Sequence, residues 1–282
     1  MKNIIIPNQT TLEKAKKCIA SGGAKNLHLV SDFDRTITKA FVDGEKVPSM
    51  ISVLRDGNYL TEDYAAKAQS LFDKYHPIEI DPNISKKEKR KAMEEWWRTH
   101  FKLMVKSGLS KSDLLSIAKS KLIKLRKGVK ELLELLNQNK IPIVFISSSG
   151  LGREMIEMIL KRENCFSPYI HIVSNDFKWD IKGKAIAVKE PIIHLLNKEE
   201  VLLKSLPFYE KVAERKKVIL LGDSLDDIDM VAGFPYECLI KIAFLSYGIE
   251  EQLPSYKKSY DVIILNDSSA RFVLNLVREI IK

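Results

Sequence analysis

The sequence predicts an α/β protein with a Rossmann-like parallel sheet core and an inserted helical cap domain between the first two core strands. Three observations carry that expectation. Short apolar runs of β type recur along the chain, with helix-length segments between most of them, as in a parallel sheet covered by helices. One interval, from about Ala40 to Arg126, breaks the alternation and shows helical patterns without a strong strand. Acidic residues fall just past two of the apolar runs, where open α/β sheets bind their ligands.

The first run, "LHLVS" (27–31), leads straight into "DFDRTIT". Strands disfavour aspartate, and a buried carboxylate is costly unless something pairs with it. Asp32 and Asp34 therefore need a reason. Standing alone, a D-x-D is explained by a loop residue followed by a helix N-cap.

The helical interval follows. "TEDYAAKAQSLFDKY" (61–75) places Tyr64, Ala68, Leu71, Phe72 and Tyr75 on one stripe. "SKKEKRKAMEEWWRTHFKLMVKSG" (85–108) opens with a capping box, Ser85 with Glu88, and stops at Gly108, a plausible C-cap. Met93, Trp96, Trp97, His100, Phe101, Met104 and Val105 keep helical spacing within it. "SKSDLLSIAKSKLIKL" (110–125) is the third pattern. The expected division is a catalytic core of 1–39 and 127–282, with residues 40–126 as the cap.

"IPIVFIS" (141–147) is the second core strand, and "ISSSGLGREMIEMIL" continues it into a helix through small hydroxyl residues and glycines. Backbone N–H groups at such a helix start favour a phosphate, and glycine permits its close approach. The later strands are "YIHIVS" (169–174), "KVILLG" (217–222), "LIKIAF" (239–244) and "DVIILN" (261–266). The run at 217–222 ends in "LLGDSLDDIDM", which sets Asp223 just past a strand, with Asp226 and Asp227 close behind. Alone, that is an N-cap with acidic residues near the positive helix end. Two acidic clusters at two strand ends suggest a divalent, oxygen-ligated cation such as Mg²⁺.

The bulk properties exclude several classes. At 282 residues the chain can bury one large core, or one core and a smaller insert. No apolar run approaches the ~20 residues of a membrane span, and "MKNIIIPNQ" is too short to be a signal-peptide core. The formal charge of +9 comes from 46 Lys+Arg against 37 Asp+Glu, but the lysines alternate with glutamates along helices. They read as solvated helix faces, so neither nucleic acid nor membrane is expected as a partner, while a basic surface still attracts a small anion. Cys18, Cys165 and Cys238 form no metal-spaced pair and are expected to be reduced thiols of a cytoplasmic protein. The oligomeric state is left open.

Taken in order, Asp-x-Asp-x-Thr, a strand-end Ser, a lysine and Gly-Asp-x-x-x-Asp resemble the haloacid dehalogenase superfamily of phosphotransferases. The segments "KNLHLVSDFDRTIT", "YHPIEIDP", "EEWWRTHF", "SSSGLGREMIEMI", "HIVSNDF", "IIHLLNKEE", "VILLGDSLDDIDM" and "YDVIIL" are similar to the pyrimidine 5′-nucleotidase family. The similarity runs from about Lys25 to the C-terminus.

The resemblance implies roles. Asp32 would be the nucleophile that becomes an aspartyl phosphate, and Asp34 the general acid that protonates the leaving ribose oxygen and then activates water. The carboxylates of Asp32 and Asp223, with the backbone carbonyl of Asp34, would hold Mg²⁺, and Asp227 would help to retain it. Ser148 would bond the phosphate, with Ser149 and Gly150 as backbone donors. Lys198 would neutralise charge on the phosphoryl group and on Asp32. Glu79 matches the carboxylate of the cap that faces the nucleoside. Trp96 and Trp97 could stack on a base, one of them being cap core instead. Some positions depart from the family pattern. Ser147-Ser148-Ser149-Gly150 stands where one Ser followed by Ala is commoner, so Ser147 is an alternative phosphate contact. Asp226 replaces a common Gly, and Arg35 a residue that is often apolar.

The expected activity is Mg²⁺-dependent hydrolysis of nucleoside 5′-monophosphates, with UMP or CMP ahead of 7-methylguanosine monophosphate. The competing readings are another small-molecule phosphomonoesterase, such as a phosphoserine phosphatase, and a basic nucleic-acid-binding module on a degenerate core. Intact Asp32, Asp34, Lys198 and Asp223 argue against the module, which has no need of all four.

Overall fold

A computed structural model describes residues 3–120, 122–198 and 206–282. The chain opens with β1 (Ile4–Ile5), α1 (Gln9–Ala20) and a short α2 (Gly23–Asn26), then enters the first core strand, β2 (Leu27–Ser31). A small hairpin, β3 (Phe41–Val42) and β4 (Glu45–Lys46), turns through Asp43 and Gly44, both at positive φ (54° and 88°). An Asp-Gly pair suits such a turn. Helices α3 (Met50–Asp56), α4 (Tyr64–Ile80), α5 (Lys86–Lys106) and α6 (Lys111–Lys119) come next. The chain then returns to the sheet through α7 (Val129–Gln138), β5 (Ile143–Ser147), α8 (Gly152–Arg162) and β6 (Ile170–Ser174). A second hairpin, β7 (Phe177–Trp179) and β8 (Ala185–Val188), precedes α9 (Tyr209–Ala213) and β9 (Lys217–Gly222). A 3₁₀ segment over Leu225–Gly233, β10 (Cys238–Leu245), α10 (Ile249–Ser259), β11 (Val262–Leu265) and α11 (Arg271–Ile280) complete it.

The central sheet is ordered β1-β11-β10-β9-β2-β5-β6. Its neighbours pair in parallel, except β1, which lies antiparallel on β11. All residues of β2, β5 and β9 are buried, as strands covered on both faces must be. The register decides where the chemistry falls. Ser31 sits opposite Leu221, so Asp32 and Asp223 leave adjacent strands side by side. The expected α/β class is thus the observed one, and the helices α3–α6 lie between β2 and β5 in the chain.

Several elements differ from expectation for local reasons. The helix expected over 61–75 extends to Ile80 and takes Pro77 into its last turns. The helix expected over 110–125 ends at Lys119, and Lys121 lies outside the described residues. Arg162 of α8 explains that stop. Its guanidinium donates to the carbonyls of Ala118, Ser120 (3.2 Å) and Ile123 (2.6 Å), which satisfies groups that a helix end leaves open. Helix α3 was not expected, although Ser49 caps it by accepting from the Ser52 N–H and Gly57 ends it. The cysteine expectation is corrected. Cys18 on α1 and Cys238 at the start of β10 form a disulfide with Cα atoms 6.2 Å apart, while Cys165 is free. Residues 220 positions apart in sequence meet only because α1 packs across β10. Among the described residues no helix is long and apolar enough to cross a membrane.

His28, buried in β2, donates from Nδ1 to the Arg215 carbonyl at 2.9 Å, and its Nε2 has no partner among the described residues. Burial drives its pKa down to about 4, against an ordinary 6.5. The unfolded chain therefore binds this proton first as pH falls, so stability is lost between about pH 6.5 and 4. The loss amounts to about 3 kcal/mol at its limit. We expect His28→Gln to lose less thermal stability than the parent protein between pH 7 and pH 5. Parallel losses in the two proteins would show that His28 is not the titrating group.

Candidate active site

Asp32 follows the last residue of β2. Its backbone N–H donates to the Leu221 carbonyl at 3.0 Å, which ties it to β9, and its own carbonyl accepts from the Ser31 hydroxyl at 2.6 Å. Phe33, between the two aspartates, is buried edge-on against Phe145 of β5, with ring centroids 5.5 Å apart. An apolar residue anchored in the core thus splits the D-x-D pair and leaves both carboxylates at the strand ends. Arg35 then turns the chain at φ 60°.

Lys198 lies just past a 3₁₀ turn at Leu195–Asn197 and is buried. Its Nζ donates to Asp32 Oδ1 at 2.8 Å and to Asp227 Oδ1 at 2.7 Å. Burial opposes its charge, but Asp227 and Asp32 outweigh burial, so its pKa is raised and it stays an ammonium. The other oxygen of Asp227 accepts from the backbone N–H groups of Asp223 and Ser224, both at 3.0 Å. Asp227 reaches this position because residue 222 is glycine. A Cβ there would come within 2.6 Å of the Asp227 Cβ. The Tyr256 hydroxyl holds the Asp223 carbonyl at 2.7 Å, and the Tyr260 hydroxyl holds that of Ser224.

Carboxylate oxygens of Asp32, Asp223 and Asp227 converge to within 4.8 Å of one another. Burial pushes Asp32 up to about 7, with Lys198 opposing and Asp227 and Asp34 adding to the rise. Burial likewise raises Asp223 well above the usual carboxylate range, reinforced by Asp32 and Asp227. One ammonium against these carboxylates leaves an excess of negative charge at a buried oxygen-rich cluster, which fits a hard divalent cation such as Mg²⁺. Asp34 stands outside that cluster. Burial raises its pKa, and Arg35 and Lys198 oppose the rise.

The loop after β5 faces this cluster. Ser147 is buried, and its hydroxyl accepts from the Ser149 N–H at 3.1 Å, while Ser148 is half-exposed. At Gly150 a Cβ would come within 2.8 Å of the Trp97 ring and would clash with Ile51. The glycine therefore lets α3 and α5 close over the loop. Asn175 is a residue the sequence did not single out. Buried after β6, it donates to the carbonyls of Ser149 (3.2 Å) and Ile193 (2.9 Å) and accepts from the Ile193 N–H (2.8 Å). It links the serine loop to the segment that carries Lys198.

The residues singled out from sequence border one cavity of about 540 Å³: Asp32, Asp34, Ser148, Ser149, Gly150, Lys198, Asp223 and Asp227 from the sheet side, and Glu79, Trp96 and Trp97 from α4 and α5. Trp96 packs with Tyr75, Met93 and Leu196, whereas Trp97 is only partly buried. The rings of Tyr75, Trp96, Trp97 and His100 form a ladder with successive interplanar angles of 13°, 23° and 16°. Glu79 accepts from His76 Nδ1 at 3.0 Å. Phe72, His76, Arg55, Arg35 and Tyr247 also line the cavity, and of these His76, Arg55 and Tyr247 carry no sequence pattern that would single them out. Arg35 donates to the Tyr247 hydroxyl. Ion pairs Lys86–Asp229 (2.9 Å) and Arg98–Glu190 (3.0 Å) connect α5 to segments of the sheet side.

The pyrimidine 5′-nucleotidase (UMPH-1) family matches residues 35–281. A chicken (Gallus gallus) 7-methylguanosine phosphate-specific 5′-nucleotidase is 34% identical over 266 residues, covering 94% of this chain and 91% of the relative. The structure of cytosolic 5′-nucleotidase IIIB bound to cytidine superposes with a TM-score of 0.88 at 29% identity, covering 99% of this chain and 95% of that one. A substrate-bound phosphoserine phosphatase shares the fold, with a TM-score of 0.52 at 16% identity over 89% of this chain and 97% of its own. Fold, strand-end carboxylates and these similarities agree: the chain belongs to the pyrimidine 5′-nucleotidase family, hydrolases of nucleoside monophosphates built on the haloacid dehalogenase fold.

Proposed function

We propose that the protein hydrolyses nucleoside 5′-monophosphates through an aspartyl phosphate on Asp32, with Mg²⁺ as cofactor and UMP and CMP as preferred substrates. The observation that carries this reading is the buried Lys198 ammonium, bonded to both Asp32 and Asp227 at the floor of an aromatic-walled cavity.

Asp32 Oδ attacks phosphorus as the bond to the ribose 5′-oxygen breaks. Asp34, whose pKa is raised, donates a proton to that leaving oxygen. It then takes a proton from the water that cleaves the aspartyl phosphate. Lys198 offsets charge on the nucleophile and the transferring group. Ser148 is the hydroxyl contact to phosphate, being half-exposed to the cavity where Ser147 is buried. Ser149 and Gly150 supply backbone donors. Asp32, Asp223 and Asp227, with the Asp34 carbonyl, would hold Mg²⁺, which when bound offsets phosphate charge and aligns the phosphoryl group.

Residues 40–126 act in this reading as a cap domain over a core of 1–39 and 127–282. Glu79 faces the nucleoside, Trp97 stacks on the base, and Trp96 is cap core. The cytidine bound to the solved IIIB structure supports a pyrimidine. A second reading, 7-methylguanosine monophosphate, is favoured by the specificity named for the chicken relative and by the indole and carboxylate walls, which suit a cationic base. A cytoplasmic location is in keeping with the name of the IIIB enzyme.

Phosphate release from UMP, CMP, 7-methylguanosine monophosphate and phosphoserine, with and without Mg²⁺, tests the reading. Release from phosphoserine alone would overturn it. Trp97→Ala should lower kcat/KM for the preferred nucleotide relative to a small generic phosphate ester by about 5- to 150-fold, the equivalent of ~1–3 kcal/mol of stacking. Trp96→Ala should instead lower thermal stability and depress both substrates together. An unchanged nucleotide-to-ester ratio in both variants would make the indoles structural.

A further inference from the structure

Arg126 stands where the chain returns from α6 to the core, and it is only 1% exposed. A guanidinium this deep needs all its donors satisfied. Three of the five partners of its side chain fall on the turn that follows Asp34. Nε donates to the Thr36 carbonyl at 3.1 Å, and one terminal nitrogen donates to the carbonyls of Arg35 and Thr38. The other terminal nitrogen meets the Ser268 carbonyl and Asp267 Oδ1, both at 2.8 Å. Asp267 in turn accepts from the backbone N–H groups of Ala40 (2.8 Å) and Phe41 (3.2 Å). The Arg126 N–H donates to the Ile37 carbonyl at 2.8 Å, and the Lys39 N–H to the Lys124 carbonyl at 2.9 Å. The outgoing and returning connections are thereby laced together beside the site.

Asp34 has no comparable anchor of its own. Among the described residues no hydrogen bond holds its carboxylate, so its aim depends on the backbone of the turn. That backbone converges its carbonyls on a single buried cation. We propose that Arg126, braced by Asp267, is a positioning residue that aims Asp34 at the leaving oxygen. The proposal rests on the reading of Asp34 as the general acid.

The test compares two leaving groups. A nucleoside 5′-alkoxide needs a proton as it departs, whereas p-nitrophenolate does not, and kcat/KM reports transfer to Asp32 before water attacks. Asp34→Asn is the reference. It should lose on the order of 10²- to 10⁴-fold in kcat/KM for the nucleotide and far less for p-nitrophenyl phosphate. Arg126→Lys keeps a charge but not the planar fork, so it should show the same asymmetry on a smaller scale, about 10-fold, mainly in kcat. Asp267→Asn, which leaves the carbonyl bonds of Arg126 in place, should show it more weakly and guards against failure of Arg126→Lys to fold. Equal depression of both esters in the folded variants, or no change in either, overturns the positioning role. If Asp34→Asn itself shows no asymmetry, the general-acid reading fails, and the proposal with it. If only Asp34→Asn shows it, that reading stands and the proposal alone falls.

Discussion

Asp32→Asn is expected to abolish nucleotide hydrolysis, by on the order of 10⁴-fold or more, while the protein stays folded. An amide oxygen can still accept from the Lys198 ammonium, now at 2.8 Å from Asp32 Oδ1, so the packing around residue 32 is kept. It cannot attack phosphorus as a carboxylate does. The substitution also removes a group that burial already pushes up to about 7, so no large stabilising interaction is lost with its charge. Lys198 retains Asp227 at 2.7 Å as its counter-ion. The measurements are phosphate release, thermal unfolding and acid-stable labelling of the protein by a ³²P-substrate. A folded Asp32→Asn protein that still releases phosphate at a substantial rate would remove Asp32 from the role of nucleophile. Labelling that survives the substitution would place the phosphoenzyme on another residue.

What the sequence made legible follows the range of the forces involved. In the parallel sheet β2, β5 and β9 are buried on both faces and β6, β10 and β11 mostly so, and each announces itself as an apolar run without help from its neighbours. The acidic clusters were legible for the opposite reason, because they break that pattern at the strand ends. β1 has two residues and exists by pairing Ile4 with Ile264 and Ile5 with Ile263, a contact no local pattern encodes. The hairpin at Phe41–Lys46 carries a local signal, the Asp43-Gly44 pair, but its strands of two residues each are too short to show an apolar run. The disulfide between Cys18 and Cys238 depends on the packing of α1 against the sheet and is invisible in spacing. Lys198 was singled out by the company of its neighbours in sequence, and its two carboxylate partners appear only in three dimensions. Asn175 and Arg126 act through the carbonyls and amides of other residues, so their side chains leave no pattern to read.

Asp223→Ala is expected to separate activity from stability in a way that tests the cation directly. Its carboxylate lies with those of Asp32 and Asp227 in a cluster spanning no more than 4.8 Å. Burial raises its pKa well above the ordinary value, and Asp32 and Asp227 raise it further. A carboxyl whose folded-state pKa is raised opposes folding at neutral pH, where it must ionise against its neighbours, and the opposition fades as pH falls. Removing it should therefore leave the metal-free protein as stable as the parent at pH 7, or more so. The backbone of residue 223 keeps its bonds to Asp227 and Tyr256, so the turn survives the change. Activity should nevertheless fall to background, because Mg²⁺ gives up its hydration shell reluctantly and the cluster has lost one of its carboxylate ligands. The parent protein should gain ~2.7 kcal/mol of stability at a Mg²⁺ concentration of about 100 times its Kd, and the variant should gain almost none. Thermal unfolding with EDTA and with Mg²⁺, run beside phosphate release, reads all of these quantities. Full activity of the parent in EDTA would remove the metal from the mechanism, and a variant as strongly stabilised by Mg²⁺ as the parent would move the ion away from Asp223.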